Sequence, residues 1–122
     1  MMDEQRVFRP GGVSYLHIPA PDPVHLAGFY HSVFGWKVRE DPGEPAFEDG
    51  TGHVIGHFVS SLAVAGPAGY LPYVYVGSVD ETLEKVGANG GTLIRPRFSE
   101  GDLWVAIVQD PAGNVIGVWQ RK

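Results

Sequence analysis

The chain of 122 residues contains no cysteine, which excludes disulfide bonds, thiolate metal ligands and a cysteine nucleophile. It also lacks an apolar run long enough to cross a membrane, and its first residues include no hydrophobic segment typical of a secretion signal. We therefore expect a soluble, cytoplasmic protein with no membrane partner. Lysine and arginine number 9 against 14 acidic residues, and the net charge of −5 comes without a basic cluster. Nucleic acid is accordingly not an expected partner.

The most informative feature present is an internal repeat. The segment D-G-T-G-H-V-I-G-H-F, from Asp49 to Phe58, matches D-P-A-G-N-V-I-G-V-W, from Asp110 to Trp119, at five of ten positions. The offset between the two segments is 110 − 49 = 61 residues, half of the chain. Such a repeat predicts two modules that bury a shared core, with any ligand held between them.

Periodicity and turn residues predict the same order of elements in both halves. Asp22 is a good N-cap for a helix over 23–34 with a 3.6-residue apolar stripe, and Gly35 ends that helix. Ser78 or Asp80 caps a second helix over about 80–88. Residues 1–11 are interpreted as a loose lead-in and 65–69 as a linker. Strands are predicted at about 13–18, 36–40, 45–49, 53–63, 71–77, 92–97, 102–109 and 114–120.

Each half therefore reads β-α-β-β-β, which predicts an α+β fold. The segments His17 to Trp36, Val74 to Gly91 and Asp110 to Gln120 together resemble the vicinal oxygen chelate superfamily of glyoxalases, bleomycin-resistance proteins and extradiol dioxygenases. The resemblance implies one glyoxalase-like domain over 1–122, built from modules at about 12–64 and 70–120 that form a half-open β-barrel around a cleft. It also implies a homodimer.

The resemblance further bears on metal binding. Metal-dependent members of the family take a glutamate ligand directly after the Val-Ile pair of each closing strand, and here those positions are Gly56 and Gly117. The matching positions on the opening strands lie near Tyr15 and near Tyr73 or Val74. Divalent metals need about three or four donors, mainly histidine and carboxylate. We therefore expect no family-type metal and no cofactor.

Side-chain alternation gives the candidate ligand-binding residues. If Gly56 and Gly117 face the cleft, residues two positions away on the same strands face it too, whereas His57 faces away. Trp104 lies on a neighbouring strand whose parity the sequence leaves open. The resulting candidates, mostly aromatic, suit a planar or hydrophobic ligand: Tyr15, His17, Phe58, Tyr73, Tyr75, Trp104 and Trp119. The alternative is that these aromatic residues simply form core.

Three functions remain open at this point. The first is a metal-free binder of a small, partly aromatic or hydrophobic molecule, as in the drug-resistance branch of the superfamily. The second is a lyase, isomerase or dioxygenase, either metal-free with His17 as the catalytic base or with relocated metal ligands that include His17. The third is a structural or partner-binding dimer without a ligand.

Overall fold

The computed structural model describes residues 4–41, 43–64 and 69–122 of the chain. The chain divides into two compact units, of which the first ends at Ala63 and the second begins at Val64. The predicted linker falls at this division, although its residues 65–68 lie outside the described part of the chain.

The first unit contains an open four-stranded sheet in the order β1-β4-β3-β2. Strand β1 is parallel to β4, and the other neighbouring strands are antiparallel. The predicted loose lead-in is wrong in part, because a short helix forms there and Val7 is only 4% exposed. The elements are α1 (Glu4–Val7), β1 (Tyr15–Pro19), α2 (Pro23–Phe34), β2 (Lys37–Arg39), β3 (Ala46–Glu48) and β4 (Ile55–Val59).

The second unit repeats this arrangement with the strand order β5-β8-β7-β6. Strand β5 is parallel to β8, and the remaining pairs are antiparallel. Its elements are β5 (Tyr73–Tyr75), α3 (Val79–Ala88), β6 (Thr92–Glu100), β7 (Leu103–Gln109) and β8 (Val115–Arg121). Each unit thus runs β-α-β-β-β, and the predicted α+β class is confirmed.

The two long helices begin and end at the residues that the sequence indicates. Asp22 accepts a hydrogen bond from the backbone N–H of His25 (3.2 Å), and Gly35 ends α2 with a φ of 71°, a left-handed conformation that glycine adopts without strain. Ser78 caps α3 through the N–H of Glu81 (3.1 Å). Local capping chemistry therefore sets three of these four helix ends.

Each helix covers one face of its own sheet. In the first unit Tyr30 of α2 packs against Phe58 of β4, with ring centroids 5.5 Å apart, and Phe58 in turn packs on Phe47 of β3. In the second unit Val79 and Val86 of α3 are buried, as are three residues that share one face of β7 and β8: Ala106, Val108 and Val118. Within the described residues, no helix is both long and apolar enough to cross a membrane.

Candidate functional site

The turn before the last strand differs in length between the two units. In the first, the N–H of Asp49 bonds to the carbonyl of Val54 (2.9 Å), whereas in the second the N–H of Asp110 bonds to the carbonyl of Asn114 (2.8 Å). The first turn therefore holds one residue more than the second, and the register of the repeated strands slips by one. A slip of one residue moves every side chain of a strand to the opposite face of its sheet.

Because of this slip, positions that are equivalent in the sequence repeat lie on opposite faces of their sheets. Gly56 pairs with Phe47 on the face of the first sheet that its helix covers. Gly117 pairs with Ile107 on the face of the second sheet opposite α3. We call the face of each sheet opposite its own helix the uncovered face. The prediction that Gly56 faces a ligand site and that His57 faces away is therefore wrong. The parity predicted for β8 agrees with the structure.

The uncovered face of the first sheet carries two of the predicted site residues and one that was assigned to the other side. Tyr15 pairs with Ile55 and His17 with His57 across the parallel strands β1 and β4. Side chains of paired residues lie on the same face, so Tyr15, His17 and His57 come together. The ring of His17 meets the edge of the Tyr15 ring, with centroids 5.2 Å apart.

A chain of hydrogen bonds runs through this face. The Tyr15 hydroxyl lies 2.5 Å from Nδ1 of His57, and Nε2 of His57 lies 2.8 Å from Oδ2 of Asp41. The His57 hydrogen bond is the main cause that holds the pKa of the Asp41 carboxyl below its ordinary value, with a smaller contribution from the charge of Arg39. The carboxylate is therefore ionised near neutral pH.

The ionisation of Asp41 fixes the direction of its hydrogen bond with His57, and a neutral imidazole then fixes the direction of the bond with Tyr15. A carboxylate only accepts, so Nε2 of His57 carries the ring hydrogen and donates it to Asp41. In the neutral imidazole Nδ1 then has a free lone pair, and the hydroxyl of Tyr15 donates to it. We call this series of residues, Asp41, His57 and Tyr15, the relay. It is a hydroxyl, an imidazole base and an orienting carboxylate in hydrogen-bonded order.

The uncovered face of the second sheet is aromatic. Tyr73 pairs with Gly117, and Tyr75 pairs with Trp119. The rings of Tyr75 and Trp119 are perpendicular, with centroids 4.9 Å apart. Tyr73 and Tyr75 remain 50% and 53% exposed. We call these three aromatic residues and Gly117 the aromatic face.

Two predicted ligand-binding residues lie elsewhere. Phe58 is fully buried against α2, because the register slip turns it to the helix-covered face. Trp104 has the same parity as Ala106 and therefore lies on the α3 side of its sheet. There the cationic groups of Arg97 and Lys122 lie 4.2 and 4.4 Å from its ring centroid, and Arg97 also bonds to Asp80 of α3 (2.9 Å). Neither residue belongs to an uncovered face.

The residues at the family's metal positions do not suit a metal ion. Gly56 has turned to the helix-covered face and Gly117 lies beneath the Tyr73 ring. In residues 4–41, 43–64 and 69–122, no three histidine, aspartate or glutamate side chains come together as a set of metal donors. The donors needed for a divalent ion are therefore not assembled in the described part of either unit.

Comparison with known proteins identifies the family of this chain. The family model described as "Glyoxalase-like domain" matches residues 15–119, which is most of the chain. The chain belongs to this glyoxalase-like family. The resemblance to the vicinal oxygen chelate superfamily is thereby confirmed, together with the α+β fold of β-α-β-β-β modules that it implies.

Curated relatives of this glyoxalase-like chain are about twice as long. It is 28% identical over 132 residues to "Putative glyoxylase CFP32" of Mycobacterium tuberculosis, covering 99% of the chain and 50% of that protein. It is 27% identical over 135 residues to "Anthracycline biosynthesis protein DnrV" of Streptomyces peucetius, covering 93% of the chain and 48% of the relative. The chain thus spans about half the length of both relatives.

A solved structure shows the same fold. The chain superposes on a glyoxalase/bleomycin resistance protein/dioxygenase family enzyme from Burkholderia phytofirmans with a TM-score of 0.75 and 22% identity. The match covers 89% of the chain and 98% of that structure. At this identity the comparison establishes the fold, and the chemistry has to be argued from the residues themselves.

Sequence reasoning missed two members of the relay, His57 and Asp41. His57 was placed on the wrong face because the repeat aligns without gaps, while the structural register does not. The signal was the extra turn residue between Asp49 and β4, which becomes visible only when strand pairing is known. Asp41 follows β2 by two residues, and it approaches His57 only after three strands have paired.

Proposed function

We propose that this glyoxalase-like protein binds a small, planar, partly aromatic or hydrophobic organic molecule, without a catalytic metal. The observation that supports the proposal is the aromatic face. Tyr73, Tyr75 and Trp119 lie side by side on an uncovered sheet face, and the two tyrosines are about half exposed. Large aromatic side chains that stay exposed on neighbouring strands are typical of a recognition surface.

The chemistry of this face suits a flat ligand. Aromatic rings gain free energy from stacking and from loss of water-exposed apolar area, and they lose few rotamers on binding. The hydroxyls of Tyr73 and Tyr75 add groups that orient a polar substituent. Trp119 stands at right angles to Tyr75, so a planar molecule stacked on one ring meets the edge of the other.

The names of the relatives agree with an organic ligand without identifying it. One curated relative is named for anthracycline biosynthesis, and a structural neighbour is named as a fosfomycin resistance protein. The chain covers only about half of the curated relatives, so their activities are not transferred. An anthracycline is nevertheless a reasonable first probe, because it is flat and aromatic.

The experiment is a fluorescence and thermal-shift titration with an anthracycline and a panel of smaller aromatic acids and ketones. Trp119→Leu removes the stacking platform, and Trp104→Leu is the matched control, since Trp104 lies on the α3 side of the same sheet. We expect Trp119→Leu to weaken binding by roughly tenfold or more, as loss of one good stacking partner costs about 1–3 kcal/mol. Trp104→Leu should bind as the parent does.

Two results would contradict the proposal. One is a melting temperature that no compound raises at any concentration, because a ligand specific for the native state must stabilise it. The other is equal weakening by both tryptophan substitutions, which would indicate non-specific binding. The homodimer expected from the family resemblance stays a separate prediction, which sedimentation velocity on the purified chain checks directly.

A further inference from the structure

The relay on the first sheet has a property that a binding surface does not need. Its three groups are joined in one direction, with the Tyr15 hydroxyl donating to His57 and His57 donating to Asp41. If the hydroxyl proton passes to Nδ1, the imidazolium that forms keeps its contact with an ionised carboxylate. A hydroxyl, an imidazole and a carboxylate in this order are the parts of an activated nucleophile or proton-transfer group.

We propose that the relay is a catalytic site in which Tyr15 is the group that meets the substrate and His57 takes its proton. Tyr15 is 44% exposed, so its oxygen is within reach of a small molecule. The side chains of His57 and Asp41 are only 30% and 32% exposed. His57 and Asp41 are therefore less accessible than Tyr15, and they act on a substrate through the Tyr15 hydroxyl.

His17, the base expected from the sequence, lies beside the relay and, within the described part of the chain, is not hydrogen-bonded into it. Among the described residues its ring contacts the edge of the Tyr15 ring, and no carboxylate bonds to it. An imidazole without a carboxylate partner lacks the group that stabilises its protonated form. His17 is accordingly a positioning residue that packs against the reactive phenol, and His57 is the base.

The reaction class is set by the proton transfers that Tyr15 and His57 can carry out without a further reactant. The Tyr15 oxygen accepts a proton from a C–H bond next to a carbonyl group while its own proton moves to Nδ1 of His57. The C–H electron pair moves into the carbonyl as an enolate, and return of the proton to another position completes an isomerisation. A phenol oxygen backed by an imidazole removes only a C–H proton that a neighbouring group acidifies. A carbonyl group does this by accepting the electron pair, so the substrate class proposed is a carbonyl compound. This choice of substrate rests on the proposed binding function.

The reactivity of Tyr15 can be measured without knowing the substrate. Phenylmethanesulfonyl fluoride is attacked by a phenol oxygen: the O–S bond forms, the S–F bond breaks, fluoride leaves, and His57 takes the hydroxyl proton before releasing it to water. Peptide mass spectrometry then gives the labelling rate of each tyrosine. Tyr73 and Tyr75 are internal controls, because they are exposed to a similar degree and, among the described residues, no hydrogen-bond partner holds their hydroxyls.

We expect Tyr15 to be labelled at least about tenfold faster than the two control tyrosines, since general-base assistance is worth about 10²–10⁴-fold where geometry is good. His57→Phe should reduce Tyr15 to the control rate, and Asp41→Asn should slow it to an intermediate rate. The Tyr15 rate should also fall in acid, because a protonated imidazole has no lone pair for the hydroxyl proton. Acid slows the labelling of every tyrosine because it lowers the phenolate fraction, so the readout is the ratio of the Tyr15 rate to the Tyr73 rate. That ratio should fall in acid if His57 assists, whereas a Tyr15 hydroxyl without base assistance would keep it constant.

Labelling of Tyr15 at the rate of Tyr73, or unchanged labelling in both variants, would overturn the relay. If His57→Phe does not fold, Asp41→Asn and the pH profile of the parent decide the question. Deuterium uptake from heavy water into phenylpyruvate and 1-phenylpropan-2-one tests the substrate class, with His57→Phe or, failing that, Asp41→Asn as background. If Tyr15 is reactive but deuterium uptake into neither ketone depends on His57 or Asp41, the proposal of a carbonyl substrate is overturned and the relay is not. A melting temperature that no compound raises, with Tyr15 labelling still dependent on His57 and Asp41, would overturn the proposed function and leave the relay standing.

Discussion

The ring of Tyr73 lies over the α-carbon of Gly117. A β-carbon added at Gly117 would stand 2.2 Å from the ring, which is inside van der Waals contact. The repeat partner Gly56 has a different neighbour, since a β-carbon there would stand 1.9 Å from the backbone oxygen of Leu16. The same residue type is thus required twice, once beneath a movable side chain and once against a fixed strand.

This difference predicts unequal costs for the same substitution. Gly56→Ala presses on backbone and on the buried Phe47 ring, so we expect it to cost more than about 3 kcal/mol or to prevent folding. Gly117→Ala displaces only a half-exposed ring, and about 1 kcal/mol is expected. Urea unfolding of both variants measures the two costs. Equal losses would contradict the assignment of the two glycines to different faces.

Deleting one residue from the longer turn should be far more harmful than altering its side chain. Removal of His53 gives the first turn the length of the second, so β4 would have to flip and expose Phe58, or strain the chain. Taking a phenylalanine out of a core costs about 3–5 kcal/mol, and loss of cooperative unfolding is expected. His53→Ala keeps the turn length and loses one exposed contact to the Arg6 carbonyl, so it should cost about 1 kcal/mol at most. A stable deletion variant would show that turn length does not set the register.

Asp41 should leave a recognisable trace in the pH dependence of stability. Its pKa is lowered in the folded chain, chiefly by the hydrogen bond from His57. Such a group stabilises the fold above its unfolded pKa, and this contribution is lost as the pH falls through the folded value. The stability difference between the parent and Asp41→Asn should therefore shrink below about pH 4, the usual range of aspartate. A difference that stays constant down to pH 2 would exclude the interaction.

Metal content is the direct check on the expected metal-free state. The untagged protein, equilibrated with zinc, nickel, manganese and iron and then desalted, should retain well under one ion per chain. The reason is the lack of grouped donors among the described residues, as three or four are needed. Close to one tightly held ion would mean that ligands come together in a way that the described residues do not indicate. His17→Ala and His57→Ala would then identify them.

Much of the fold could be predicted from short stretches of sequence. The bounds of α2 and the start of α3 are set by capping residues that lie within a few positions of the helix ends, namely Asp22, Gly35 and Ser78. Alternation and turn residues likewise place every strand to within a few residues. The closing motif with Gly117 correctly puts Tyr73, Tyr75 and Trp119 on one face.

The candidate site depended on strand register, which the sequence by itself did not determine. Asp49 and Asp110 open turns that look alike in sequence, yet backbone pairing closes them on different residues. Because strand side chains alternate with a period of two, that single residue sends Phe58 into the core and His57 to the uncovered face. The sequence determined the family, the modules and the helices through local chemistry. Only the tertiary structure decided which histidine meets Tyr15 and Asp41, because residues 15, 41 and 57 come together through pairing between distant strands.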